Sequence, residues 1–130
     1  MGLKLRSAYL TIPVSNFNNS VKWYGDHFGF KVINEDPNYI EVQNDSGIKI
    51  LFQQNDYNLT SQFVYPDGAA QSSYGFMVDD AEFAYRYCKK TGIRVGEFFE
   101  YQGQSFSFYD LDGNFIEVWS LPKVIVNELN

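Results

Sequence analysis

Phe106-Ser107-Phe108-Tyr109-Asp110-Leu111-Asp112-Gly113-Asn114-Phe115-Ile116-Glu117-Val118-Trp119 reads as two aromatic-rich strands joined by a tight turn. The Asp-Leu-Asp-Gly-Asn segment supplies side chains that bond their own backbone and a glycine that accepts positive φ. Successive side chains of a strand point to opposite faces. Phe115, Glu117 and Trp119 therefore share one face, and Ile116, Val118 and Ser120 the other. Spacing alone leaves Glu117 open to two readings: a solvated charge on an exposed strand face, or a carboxylate set among aromatic rings for a purpose.

Working back from this hairpin, residues 8–14 alternate and are β-rich, with Pro13 marking a sheet edge or bulge. Ser15, Asn16 and Asn18 offer N-caps to a helix in which Val21, Tyr24 and Phe28 recur at helical spacing, and Gly29 closes it. Three strands follow, at Phe30–Asn34, Tyr39–Gln43 and Ile48–Gln53, separated by turns at Asp36-Pro37-Asn38 and Asn44-Asp45-Ser46-Gly47. The order then starts again. Tyr74–Val78 is a strand, Asp79 or Asp80 caps a helix through Lys90, Gly92 stops it, and strands follow at about 94–99, 105–110 and 114–120.

Val14-Ser15-Asn16 stands to Gly29 as Val78-Asp79-Asp80 stands to Gly92, and Phe30-Lys31-Val32 matches Ile93-Arg94-Val95. The chain is thus an internal repeat of a β-α-β-β-β unit. Its expected class is α+β: two βαβββ modules (about 6–54 and about 73–121) whose mixed sheets pair around a central cavity, with a connection at 55–72 and a C-terminal tail at 122–130. A unit with one helix on a four-stranded sheet leaves the other face to be covered. Phe63, Val64 and Tyr65 make the connection too apolar for a bare tether, and Val124-Ile125-Val126 suggest a packing arm in the tail.

The hairpin pattern Asp-x-Asp-Gly-Asn-x-Ile-Glu, together with Ser20-Val21-Lys22-Trp23-Tyr24 and Phe28-Gly29-Phe30, resembles the vicinal-oxygen-chelate superfamily, which includes glyoxalase I, extradiol dioxygenases, and bleomycin and fosfomycin resistance proteins. The resemblance implies the paired-module fold. It also implies that Glu117, four residues after the turn glycine, is a metal ligand or part of a cavity wall. Carried over by offset, the other three ligand positions fall on Tyr9, on Leu51 or its same-face neighbour Gln53, and on Ser73. Only Glu117 of these is a good ligand for a divalent metal, because such sites use imidazole, thiolate or carboxylate. The one histidine, His27, falls inside the first helix. The expectation is a protein with no metal and no cofactor.

Two roles are open for Glu117: a satisfied carboxylate bonded by the Tyr9 and Ser73 hydroxyls, or a catalytic acid/base in an enzyme of isomerase or lyase type. The residues expected to bind a ligand are Tyr9, Leu51, Gln53, Ser73, Tyr101, Phe108, Glu117 and Trp119. The resemblance favours a small hydrophobic or aromatic molecule held without chemistry, with an enzyme or a protein-interaction subunit as the alternatives.

Composition bounds the rest. A 130-residue chain of net charge −6 has no basic stripe to neutralise phosphates, so nucleic acid is not expected as a partner. No apolar run approaches the roughly 20 residues needed to cross a bilayer. A single cysteine, Cys88, and the lack of a leader segment point to the cytoplasm. Aromatic residues make up 18% of the chain, enough to fill a core or to line a hollow for flat ligands. A homodimer is expected, since superfamily members commonly pair.

Overall fold

A computed structural model describes residues 2–55 and 60–122, so the expected packing arm at Val124-Ile125-Val126 lies outside the described residues. The chain divides into two compact units, residues 1–59 and 60–130.

In the first unit, β1 (Leu10–Val14) leads into α1 (Phe17–Phe28), followed by β2 (Lys31–Asp36), β3 (Tyr39–Gln43) and β4 (Lys49–Gln54). The sheet order is β1-β4-β3-β2, with β1 parallel to β4 and the other pairs antiparallel. α1 begins where Asn16 accepts the Asn19 amide at 2.9 Å, and ends at Gly29 with φ 76°. Its Tyr24 ring packs at 5.1 Å from Phe52, above a floor of Ile12, Val14, Ile40, Val42 and Ile50, all buried.

The second unit opens with a hairpin, β5 (Gln62–Val64) and β6 (Ala70–Ser72), in the stretch expected as a connection too apolar for a bare tether. Its turn is the expected Pro66-Asp67-Gly68, with the Ala69 amide donating to Asp67 Oδ1. β7 (Gly75–Met77), α2 (Ala81–Lys90), β8 (Phe99–Glu100), β9 (Gln104–Tyr109) and β10 (Phe115–Ser120) then repeat the first unit's plan, in the order β7-β10-β9-β8 with β7 parallel to β10. Asp80, not Asp79, caps α2, accepting the Phe83 amide at 3.1 Å. The far end of β10 joins the helix start, where Ser120 Oγ accepts the Ala81 amide at 3.1 Å.

The repeat extends to atomic detail in the two turns. Asn44 Oδ1 accepts from the Ser46 and Ile48 amides, and Asp110 Oδ1 from the Asp112 and Asn114 amides. Gly47 and Gly113, at φ 86° and 80°, hold the position that only glycine takes without strain.

The strand expected at 94–99 is broken. Gly96 donates to Ser107 O and Val95 bridges Phe108, but pairing resumes only at Phe99 opposite Ser105. Glu97 and Phe98 together oppose Phe106, which is a β-bulge. The extra residue shifts the alternation, so that Phe98 turns to meet Tyr85 of α2 at 5.2 Å. β2 carries a register shift of the same kind between Val32 and Asn34.

Candidate functional site

In the second unit, α2 covers the side of the sheet formed by Phe106, Phe108, Ile116 and Val118, all buried. Tyr85 of the helix lies 5.2 Å from Phe106. Phe108 was expected to bind a ligand. It is fully buried and pairs with Ile116 on the helix side, so it belongs to the core and not to the face that carries Glu117. A period of two separates the faces of a strand without saying which of them the helix will cover.

The face turned away from α2 is built by register. Glu117 stands opposite Ser107 on β9 and beside Gly75 on β7. One step along, Trp119 stands between Ser105 and Met77; one step the other way, Phe115 opposes Tyr109. The Tyr109 and Phe115 rings stack at 5.4 Å with 27° between planes, and the Arg94 guanidinium sits 4.1 Å above the Tyr109 ring. Glu117 is half-buried, and among the described residues no side chain bonds or ion-pairs with it.

Two glycines shape this face. A Cβ on Gly75 would stand 2.8 Å from the Glu117 carbonyl oxygen and 3.3 Å from its Cβ, so β7 approaches β10 only because the side chain is missing. At Gly103, φ is 142° and a Cβ would fall 2.6 Å from Trp119 Nε1. The backbone of the β8–β9 turn thus lies against the indole and fixes its tilt. Tyr101 in the same turn is 80% exposed.

Ser73 lies exposed two residues before Gly75. In the first unit Tyr9 lies two residues before Thr11, which pairs with Leu51, just as Ser73 lies two before Gly75, which pairs with Glu117. The register therefore makes Leu51, not Gln53, the counterpart of Glu117. Leu51 is half-buried and Gln53 exposed, both on the side of the first sheet away from α1. The same side carries Glu41, opposite Leu51, which sequence reading passed over. Its signal was present: Ile40 and Val42 are core residues, so Glu41 between them must face the other way.

The positions to which the resemblance carries metal ligands hold a phenol and an aliphatic chain in the first unit and a hydroxymethyl group and one carboxylate in the second, and of these only the carboxylate is a good ligand for a divalent first-row metal. Among the described residues, no three His, Cys, Asp or Glu side chains come together in a metal-binding group.

Two other titratable groups are tuned by burial. Loss of hydration pushes the Tyr74 hydroxyl up to about 12, against a smaller opposing pull from the Ser61 side chain and with a further push from the Asp110 charge. The Tyr74 and Ser61 hydroxyls are close neighbours, but neither makes a hydrogen bond of good geometry. Burial alone pushes the Cys88 thiol up to about 11. Both stay protonated at neutral pH, so neither supplies a phenolate or thiolate nucleophile.

A hollow of about 660 Å³ opens elsewhere in the first unit, beside the start of α1, among Ser15, Asn16, Glu35, Asp36, Ile40 and Gln54. None of the residues expected to bind a ligand lines it. No helix among the described residues is long and apolar enough to cross a membrane.

Residues 6–118 match the family model described as glyoxalase/bleomycin resistance protein/dioxygenase superfamily. Solved structures with the same fold include the genomically encoded fosfomycin resistance protein FosX from Listeria monocytogenes, at 15% identity and a TM-score of 0.71 over 92% of this chain and 96% of that one. A glyoxalase family protein from Enterococcus faecalis superposes with a TM-score of 0.69 at 18% identity, over 88% and 96%. The bleomycin resistance determinant encoded on transposon Tn5 gives 0.65 at 19% identity, over 90% and 98%. Among curated proteins none matches the chain in sequence.

Proposed function

The chain belongs to the glyoxalase/bleomycin resistance protein/dioxygenase superfamily, and from that premise we propose that it binds a small hydrophobic or aromatic molecule without a metal and without a chemical step. One observation carries the reading: Trp119 and the stacked Tyr109–Phe115 pair flank Glu117 on the sheet face away from α2. Flat rings bury against flat rings with little loss of side-chain freedom, which suits a binding wall. A fosfomycin resistance protein and a bleomycin resistance determinant share the fold, which supports a small-molecule role.

Screening aromatic compounds for thermal stabilisation tests this directly. A ligand present at about 100 times its dissociation constant stabilises by roughly 2.7 kcal/mol. Its binding should quench Trp119 emission in a Trp23→Phe background and be lost in Trp119→Ala. A compound that stabilises the chain equally in Trp119→Ala binds somewhere else and counts against this face.

The same reading carries a homodimer. Phe63 and Val64 of β5 and Tyr65 just after it are 45%, 61% and 48% exposed, an apolar surface that suits a second copy of the chain. Sedimentation at micromolar concentration is expected to give twice the chain mass, and Val64→Glu to give the chain mass; a wild-type monomer would remove this part of the proposal.

A further inference from the structure

We infer that the face bearing Glu117 recognises an organic cation carried on a flat apolar body, the Glu117 carboxylate meeting the charge and Trp119 with the Tyr109–Phe115 pair meeting the body. This names the ligand class of the site proposed above and rests on that proposal.

The first ground is an unneutralised charge. Glu117 is half-buried, and among the described residues no side chain of opposite charge pairs with it. Three of the second unit's cations have other contacts in place. Arg86 pairs with Glu82 at 2.7 Å, Lys89 lies 5.2 Å from the Tyr85 ring, and Arg94 sits over Tyr109.

The second ground is room. On the strands to either side, the residues level with Glu117 are Gly75 and Ser107, so neither flanking strand sets a bulky side chain level with it. A group of a few heavy atoms, such as a primary ammonium, reaches it from the sheet face.

The third ground is the chemistry of the rings. Aromatic faces carry negative charge density and attract cations. The row on this face already does so with one of the chain's own groups, since the Arg94 guanidinium lies 4.1 Å from the Tyr109 centroid. A single carboxylate beside rings suits a soft, weakly hydrated organic cation better than a divalent metal, which calls for several hard donors.

The test uses three naphthalene compounds of one shape: 1-naphthylmethylammonium, 1-naphthalenemethanol and 1-naphthoate, titrated against the full chain by calorimetry and by amide NMR shifts. The ammonium is expected to bind roughly ten-fold or more tighter than the alcohol, and the carboxylate more weakly than both. Glu117→Gln should weaken the ammonium far more than the alcohol, closing the gap between the two, and added salt should weaken the ammonium most. Equal binding of ammonium and alcohol, or an unchanged ratio in Glu117→Gln, overturns the cation assignment and leaves the aromatic binding reading standing. Shifts absent from β7, β9 and β10 with all three compounds overturn both.

Discussion

Asp110→Ala is expected to cost roughly 3 kcal/mol or more of unfolding free energy, a large part of the roughly 5–15 kcal/mol that holds a domain of this size folded. The Asp110 side chain is buried, at 7% exposure, and works as a clamp. Its Oδ1 accepts from the Asp112 and Asn114 amides at 2.9 Å each, and its Oδ2 from Asn114 Nδ2 at 2.9 Å. Alanine leaves all three donors without that carboxylate, and the Asn114 amide is buried where water does not easily replace it. The effect travels further. Asn114 Oδ1 accepts the Ser61 amide at 3.0 Å, so the clamp holds the chain at the entrance to the β5–β6 hairpin as well as the turn before β10. Urea unfolding should show the loss, and amide exchange at Ser61 should quicken beyond the global change. Asp110→Asn separates the contributions. In the first unit Asn44 makes the equivalent pair of backbone bonds with an amide oxygen, so the asparagine variant should keep those and lose the bond from Asn114 Nδ2, which would then face another donor. Its cost should be less than half that of alanine; an equal cost would mean that the backbone bonds matter little.

That clamp shows why so much of the fold was legible. Turn chemistry and helix caps are local: Asp110, Gly113, Asn16 and Gly29 act within four residues of themselves, and their types alone imply the geometry. The repeat then followed from spacing. What was hidden is what depends on distant neighbours. Nothing in Glu97-Phe98 announces a bulge, because it exists only relative to β9, and it is the bulge that aims Phe98 at Tyr85. Phe108 was expected to bind a ligand for a similar reason, since alternation pairs it with Phe106 but only the packed helix makes that side the core. Gly75 and Gly103 look like any loop or strand glycine until the strand opposite is in place. The site is accordingly half legible. Glu117 and Trp119 were named from the hairpin, while Gly75, Ser107 and the Arg94–Tyr109–Phe115 stack, which give Glu117 its room and its surroundings, come from register alone.

Gly103 offers the sharpest test of that register. Gly103→Ala is expected to cost roughly 2–4 kcal/mol, from a backbone at φ 142° that a side chain rarely adopts and from collision with atoms on two sides. A methyl group here would stand 2.6 Å from Trp119 Nε1, 2.9 Å from Cε2 and 2.8 Å from the Ser120 carbonyl oxygen. The indole can turn away, but the carbonyl belongs to β10, and the hydroxyl of the same Ser120 caps α2, so the strand cannot yield freely. Gly92→Ala provides the control. That residue also has positive φ, at 81°, yet a Cβ would meet nothing within 4 Å, so its cost should stay near the roughly 1 kcal/mol of the conformational penalty. The difference between the two variants in urea measures the contact itself. In a Trp23→Phe background Gly103→Ala should also shift Trp119 emission and weaken any aromatic ligand held by that ring, whereas Gly92→Ala should do neither. Equal costs with unmoved emission would mean that the turn does not rest on the indole, and the wall beside Glu117 would lose its fixed edge.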